Sequence, residues 1–123
     1  VDPPFGSQFG GTNPVFFAIN ADVQYDSWLT IGIEDGDTNS LLSQVGLDLN
    51  AWTETSGITE SDGALFFMDP EHGSSGNTVL LAQITVPTTG GAGVRGERRA
   101  TMGAQGKAVG QMEDWRAFLT FEF

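Results

Sequence analysis

Apolar and polar residues alternate over residues 13–33, NPVFFAINADVQYDSWLTIGI. The odd positions Val15, Phe17, Ile19, Ala21, Val23, Tyr25, Ser27, Leu29, Ile31 and Ile33 are apolar or small. The even positions carry Asn20, Asp22, Gln24, Asp26 and Thr30, with Phe16, Ala18 and Trp28 as exceptions. A period of two predicts a β-strand with one buried face. Strands ordinarily run about 5–6 residues. At about 3.3 Å per residue this one would extend near 60 Å, against a radius of gyration of roughly 14 Å for a domain of this size. Two solutions follow: a bend near residues 25–27 that makes two strands, or donation of the first half to a neighbouring molecule, which supplies an edge and an apolar face at once.

Residues 1–14, VDPPFGSQFGGTNP, read as an extended arm. Pro3 and Pro4 favour open backbone, Gly10 and Gly11 loosen the joint, and Phe5 and Phe9 offer a second, shorter donor. Further strands are predicted around 45–49, at 64–69 and at 79–87, with a minor one within 52–63 and one or two edge strands within 94–109. Turn-rich segments such as EDGDTNS at 34–40 and DPEHGSSGN at 69–77 separate them. Residues 115–123, WRAFLTFEF, alternate again and predict a last strand. The expected domain organisation is an N-terminal arm or donor strand over 1–21 and one domain over 22–123. That domain is all-β, an immunoglobulin-like or jelly-roll β-sandwich of about seven to nine strands.

Composition narrows the functional classes. The 123 residues include 17 Gly, no Cys and a single His, at a net charge of −11. Disulfides, thiolate metal sites and Cys nucleophiles are excluded. Residues 1–94 hold twelve acids and no Lys or Arg; all five cations, Arg95, Arg98, Arg99, Lys107 and Arg116, fall in the last 29 residues. A polyanion would be repelled, so nucleic acid is not an expected partner. No apolar run reaches the roughly 18 residues of a membrane span, so no insertion is expected. Low Lys with high Gly and Thr fits an extracellular or cell-surface protein, and Val1 reads as a processed start after removal of a secretion signal.

No constellation for catalysis stands out, and the expectation is a protein without enzymatic activity. His72 has no Ser partner motif and reads as a solvated loop residue beside Asp69 and Glu71. GGAGVRG lacks the Lys-Ser/Thr of a phosphate loop. No cofactor is required; the one metal candidate is calcium at Asp35, Asp37 and Asn39, whose oxygens alternate as in calcium loops, although Ser40 stands where an EF-hand has Gly. Tyr25, Trp28 and Trp52 could form a glycan-stacking platform.

The two ends resemble the subunits of donor-strand-exchange pili. Those subunits are secreted, incomplete immunoglobulin-like sandwiches; an N-terminal extension with alternating apolar residues fills a neighbour's groove, which a C-terminal strand borders. The resemblance implies donor residues Val15, Phe17, Ile19 and Ala21 and groove residues Leu119, Phe121 and Phe123. The chain departs from the chaperone–usher pattern in having no Cys pair and no linker between donor and next strand. The expectation is a homo-oligomer, a helical filament joined by N-terminal strands. The alternative is a monomeric extracellular module that binds glycan or calcium.

Overall fold

The computed structural model describes residues 6–53, 55–86 and 99–122. The chain forms two compact units, Val1–Val86 and Pro87–Phe123. The described residues are all-β: eight strands, four short 3-10 turns and no α-helix. The strands pair as four two-stranded antiparallel ladders.

In the first unit, β1 (Gly6–Ser7) and β2 (Gly11–Thr12) form a small hairpin. β3 (Trp28–Leu29) pairs with β6 (Ala82–Gln83), Trp28 opposite Gln83 and Leu29 opposite Ala82. Backbone bonds continue this ladder: Thr30 N–H donates to Leu81 O at 2.9 Å and Gly32 N–H to Leu80 O at 2.8 Å. Side chains extend it the other way. Thr85 N–H donates to Ser27 Oγ at 2.9 Å, and Gln83 Nε2 donates to the carbonyls of Gln24 and Asp26 at 2.8 and 2.7 Å. The N-terminal segment lies along the other edge of β3. Leu29 N–H donates to Gln8 O at 3.0 Å and Gly10 N–H to Leu29 O at 2.8 Å, with Phe9 and Leu29 in a parallel bridge. Residues 6–12, expected as part of a free arm, are thus docked on their own unit, and Gly10, Gly11 and Thr12 are buried.

The long alternation does not form one strand. Residues Pro14–Ala18 and Ala21–Tyr25 are 3-10 turns. Asn13 Oδ1 accepts from Val15 N–H and Asn20 Oδ1 accepts from Asp22 N–H, both at 3.1 Å. Pro14, with φ fixed and no N–H to give a ladder, occupies the first position of the first turn. Short Asx side chains offer the backbone local partners that compete with a sheet, and two of them seven residues apart divide the pattern. Only Val23 of the two turns is buried. The alternation then loses its phase. Asp26, Ser27, Trp28 and Thr30 are all buried, so Trp28, at an even position of the pattern, lies inside and is 6% exposed.

β4 (Leu42–Val45) pairs with β5 (Ala64–Phe67), from Leu42 opposite Phe67 to Val45 opposite Ala64. The strand expected around 45–49 therefore lies earlier. Asp37 holds its start, because both carboxylate oxygens accept backbone bonds, from Leu41 N–H at 2.7 Å and Leu42 N–H at 3.0 Å. Gly46, at φ +70°, ends it, and Leu49–Ala51 is a 3-10 turn. Among the described residues of 52–63 the strand pairing is an isolated bridge between Thr53 and Ser56. The buried apolar residues of the described chain are Val23, Trp28, Leu42 and Leu49. Thr30, 1% exposed, satisfies its hydroxyl locally: Oγ1 donates to Ile33 O at 2.6 Å and accepts from Ile33 N–H at 2.8 Å.

The second unit holds one long hairpin, β7 (Arg99–Lys107) against β8 (Asp114–Glu122).

Candidate assembly surface

The β7–β8 ladder pairs nine residues of each strand, from Arg99 opposite Glu122 to Lys107 opposite Asp114. Directly opposed residues share a face, so the register sorts the hairpin into two surfaces. One carries Ala100, Met102, Ala104 and Gly106 from β7 with Phe121, Leu119, Ala117 and Trp115 from β8. The other carries Thr101 with Thr120, Gln105 with Arg116, Gly103 with Phe118, and unlike charges at both ends, Arg99 with Glu122 and Lys107 with Asp114. Unlike cross-strand pairs contribute roughly 0.2–1 kcal/mol each, and like pairs would cost as much, so the charges help fix this register.

The apolar surface is uneven. β8 supplies its bulk through Trp115, Leu119 and Phe121, whereas β7 supplies mostly small residues. The Trp115 ring lies over Gly106, within 3.2 Å of where a Cβ would stand. In the middle of the face Ala104 opposes Ala117, which leaves a dent between the Met102–Leu119 and Gly106–Trp115 rows. This surface is uncovered: Trp115 is 47% and Phe121 42% exposed, and no residue of either strand is fully buried. Each strand has one ladder partner among the described residues, so both outer edges present unpaired N–H and C=O groups.

Of the donor residues, Val15 and Ile19 are each 69% exposed, Ala21 is exposed and Phe17 half-buried; Val15, Phe17 and Ala21 lie on the 3-10 turns and Ile19 caps the first. They lie in the first unit. Leu119 and Phe121, the expected groove residues, share the apolar face of β8; Phe123 lies outside the described residues, as does Phe5.

The calcium candidates and Pro14 line an open depression of about 380 Å³, together with Ile33 and Glu34. Both Asp37 oxygens and one Asp35 oxygen are engaged locally. The Asp37 carboxylate is taken by the two backbone N–H groups at the start of β4, and Asp35 Oδ2 accepts from Thr38 Oγ1 at 3.1 Å. Among the described residues no group of three or more His, Cys, Asp or Glu side chains is placed to hold a metal ion. His72 Nδ1 lies 2.9 Å from Asp69 Oδ2 in an exposed pair. Of the glycan-stacking residues, Tyr25 is exposed, Trp52 half-buried and Trp28 buried, so Trp28 has no free ring face to offer.

Sequence reasoning found β8 but missed the larger feature. β7 reads as a weak, Gly-rich edge, and only its pairing with β8 reveals the dent. The available signal was the strict alternation of small or apolar with polar residues over 99–107. No helix among the described residues is long and apolar enough to cross a membrane. No protein-family model, no curated protein and no solved structure matches the chain.

Proposed function

We propose that the protein is a non-catalytic structural subunit of an extracellular filament, in which residues 15–21 of one copy add a strand to the C-terminal hairpin of the next. The observation that carries this reading is the hairpin's uncovered apolar face, with an edge on either side that pairs with no other strand among the described residues. A two-stranded ribbon is marginal in water; a third strand over an apolar face gives it independent stability. Strand addition would satisfy the edge and cover the face together. In this reading the small ladders belong to an incomplete immunoglobulin-like or jelly-roll sandwich that the neighbour completes.

The donor's present state supports the same reading. Val15 and Ile19 are not invested in the core of their own unit, and 3-10 turns of five residues hold few hydrogen bonds to lose. The docked residues 8–10 would keep the donor attached to its own body while the following segment extends. The acidic first 94 residues and the cationic last 29 favour contact between unlike parts of two copies. Such a heterologous contact that does not close generates a filament.

The test compares the unaltered protein with the double variant Val15→Asp/Ile19→Asp by light scattering and negative-stain imaging. Regular fibres are expected from the former and folded monomers from the latter. A monomer at every concentration for the unaltered chain would overturn the reading.

A further inference from the structure

Resting on that assembly reading, we infer that the acceptor is the outer edge of β7 rather than of β8. The donor runs antiparallel to β7, with Phe17 opposite Ala104 and Asp22 opposite Arg99. Three observations converge on this register.

The first is volume. The apolar positions of β7 are Ala100, Met102, Ala104 and Gly106, and bulk is missing beside them. Donor residues Val15 and Phe17 are large where β7 carries Gly106 and Ala104. With Phe17 opposite Ala104, the rows across the extended face become Val15–Gly106–Trp115, Phe17–Ala104–Ala117, Ile19–Met102–Leu119 and Ala21–Ala100–Phe121. The largest donor ring then falls on the dent made by the two alanines, and only the Ile19–Met102–Leu119 row carries three bulky residues. An edge on β8 would instead place Phe17 and Ile19 beside a strand already filled by Trp115, Leu119 and Phe121.

The second is charge. Asp22 is the one formal charge within residues 13–22. β8 begins with Asp114 and ends with Glu122, so a donor on its edge meets like charge at either end. β7 begins with Arg99 and ends with Lys107. In the antiparallel register Arg99 stands between Asp22 and Glu122.

The third is the missing donor. Pro14 has no N–H and cannot continue a ladder. The register puts it opposite Lys107, the last residue of β7, where pairing ends. A parallel donor would also bring Asp22 to a cation, Lys107, and Pro14 to the end of β7 at Arg99, but it sets Phe17 on the filled Met102–Leu119 row. Antiparallel pairing is also the more stable ladder per residue.

The chain has no Cys, so single cysteines can be placed without competitors. A copy carrying Asn20→Cys is mixed with a copy carrying Thr101→Cys, Gln105→Cys or Thr120→Cys, and disulfide-linked dimers are read under mild oxidation. A second pair, Ala18→Cys with Gly103→Cys, leaves the Asn20 cap intact; a Cβ at Gly103 meets nothing within 4 Å. Light scattering on each mixture reports assembly separately from linkage. The expected result is assembly with linkage of Asn20→Cys to Thr101→Cys at least tenfold above the other two partners, and efficient linkage of Ala18→Cys to Gly103→Cys. Assembly with preferential linkage to Gln105→Cys would overturn the antiparallel direction. Preferential linkage to Thr120→Cys, or no linkage to any β7 position, would overturn the β7 edge. Absence of assembly in every mixture and in the cysteine-free protein would overturn the filament reading itself.

Discussion

Gly11 lies flat against the indole of Trp28: a Cβ built on Gly11 would stand 2.5 Å from both Cε2 and Nε1. This contact joins the docked N-terminal segment to the buried centre of the first unit. Gly11 also has φ +71°, a left-handed value that side-chain-bearing residues adopt at a cost of roughly 1–2 kcal/mol. Gly11→Ala adds overpacking of roughly 1–3 kcal/mol. We expect the variant to lose about 2–4 kcal/mol of stability, read from the urea midpoint with Trp fluorescence as the probe. An unchanged midpoint would mean that residues 6–12 do not rest on Trp28.

The same contact alters how the N-terminus should be probed. Deleting residues 1–21 removes Gly11 and the hydrogen bonds of residues 8–10 to Leu29, so it damages the body as well as any donor. Point changes on the exposed side are cleaner. Val15→Asp with Ile19→Asp should shift stability by no more than about 0.5 kcal/mol, as exposed substitutions do. Val23→Asp, from the same alternation but at a residue 4% exposed, buries a carboxylate and should cost more than about 3 kcal/mol or prevent folding. Circular dichroism melts of the variants check the contrast.

Asp37 anchors β4 through two charge-assisted bonds to Leu41 and Leu42 N–H. Asp37→Ala leaves both donors without a side-chain partner and should cost about 2–4 kcal/mol. Asp37→Asn keeps one acceptor and should lose about half of that. Melts run with millimolar calcium and with chelator distinguish this anchoring from metal binding. Anchoring alone predicts the same Tm in both for the unaltered protein, and a calcium-dependent rise would assign the loop a metal.

Thr30→Val keeps the side-chain shape and removes a hydroxyl that both donates to and accepts from Ile33. The loss leaves the half-buried Ile33 amide and carbonyl short of a partner, and about 1–3 kcal/mol is the expected cost. Hydrogen exchange at Ile33 should accelerate, while exchange along the β7–β8 hairpin should not.

What could be read from the sequence depended on which competitor each pattern met. The alternation of 115–121 became β8 with the expected faces, because nothing nearby offers the backbone a better partner than β7. The alternation of 15–33 was equally regular, yet Asn13 and Asn20 captured the N–H groups two residues on and Pro14 withheld its own, so turns won over a strand. Trp28, an exception on the polar phase of the alternation, is buried because that phase does not persist through residues 20–27. The loop at 34–40 was legible as a turn-rich segment. That Asp37 spends both oxygens on the next strand was not, because that depends on Asp37 and Ser40 adopting positive φ. The last strand was legible as β8, while its partner hid in a Gly-rich stretch whose small residues leave room beside it.

The two ladders on β3 set the order of events when the chain is made. β3 takes one neighbour from residues 8–10 and the other from residues 80–85, so the first unit cannot close until nearly all of it has been synthesised, and closing so long a loop is slow. The β7–β8 hairpin joins residues adjacent in the chain and can form on the order of 1–10 μs. Its apolar face therefore exists almost as soon as it leaves the ribosome. In the proposed filament, a chaperone that caps the hairpin until delivery would raise the yield of usable subunits more than one that assists the body.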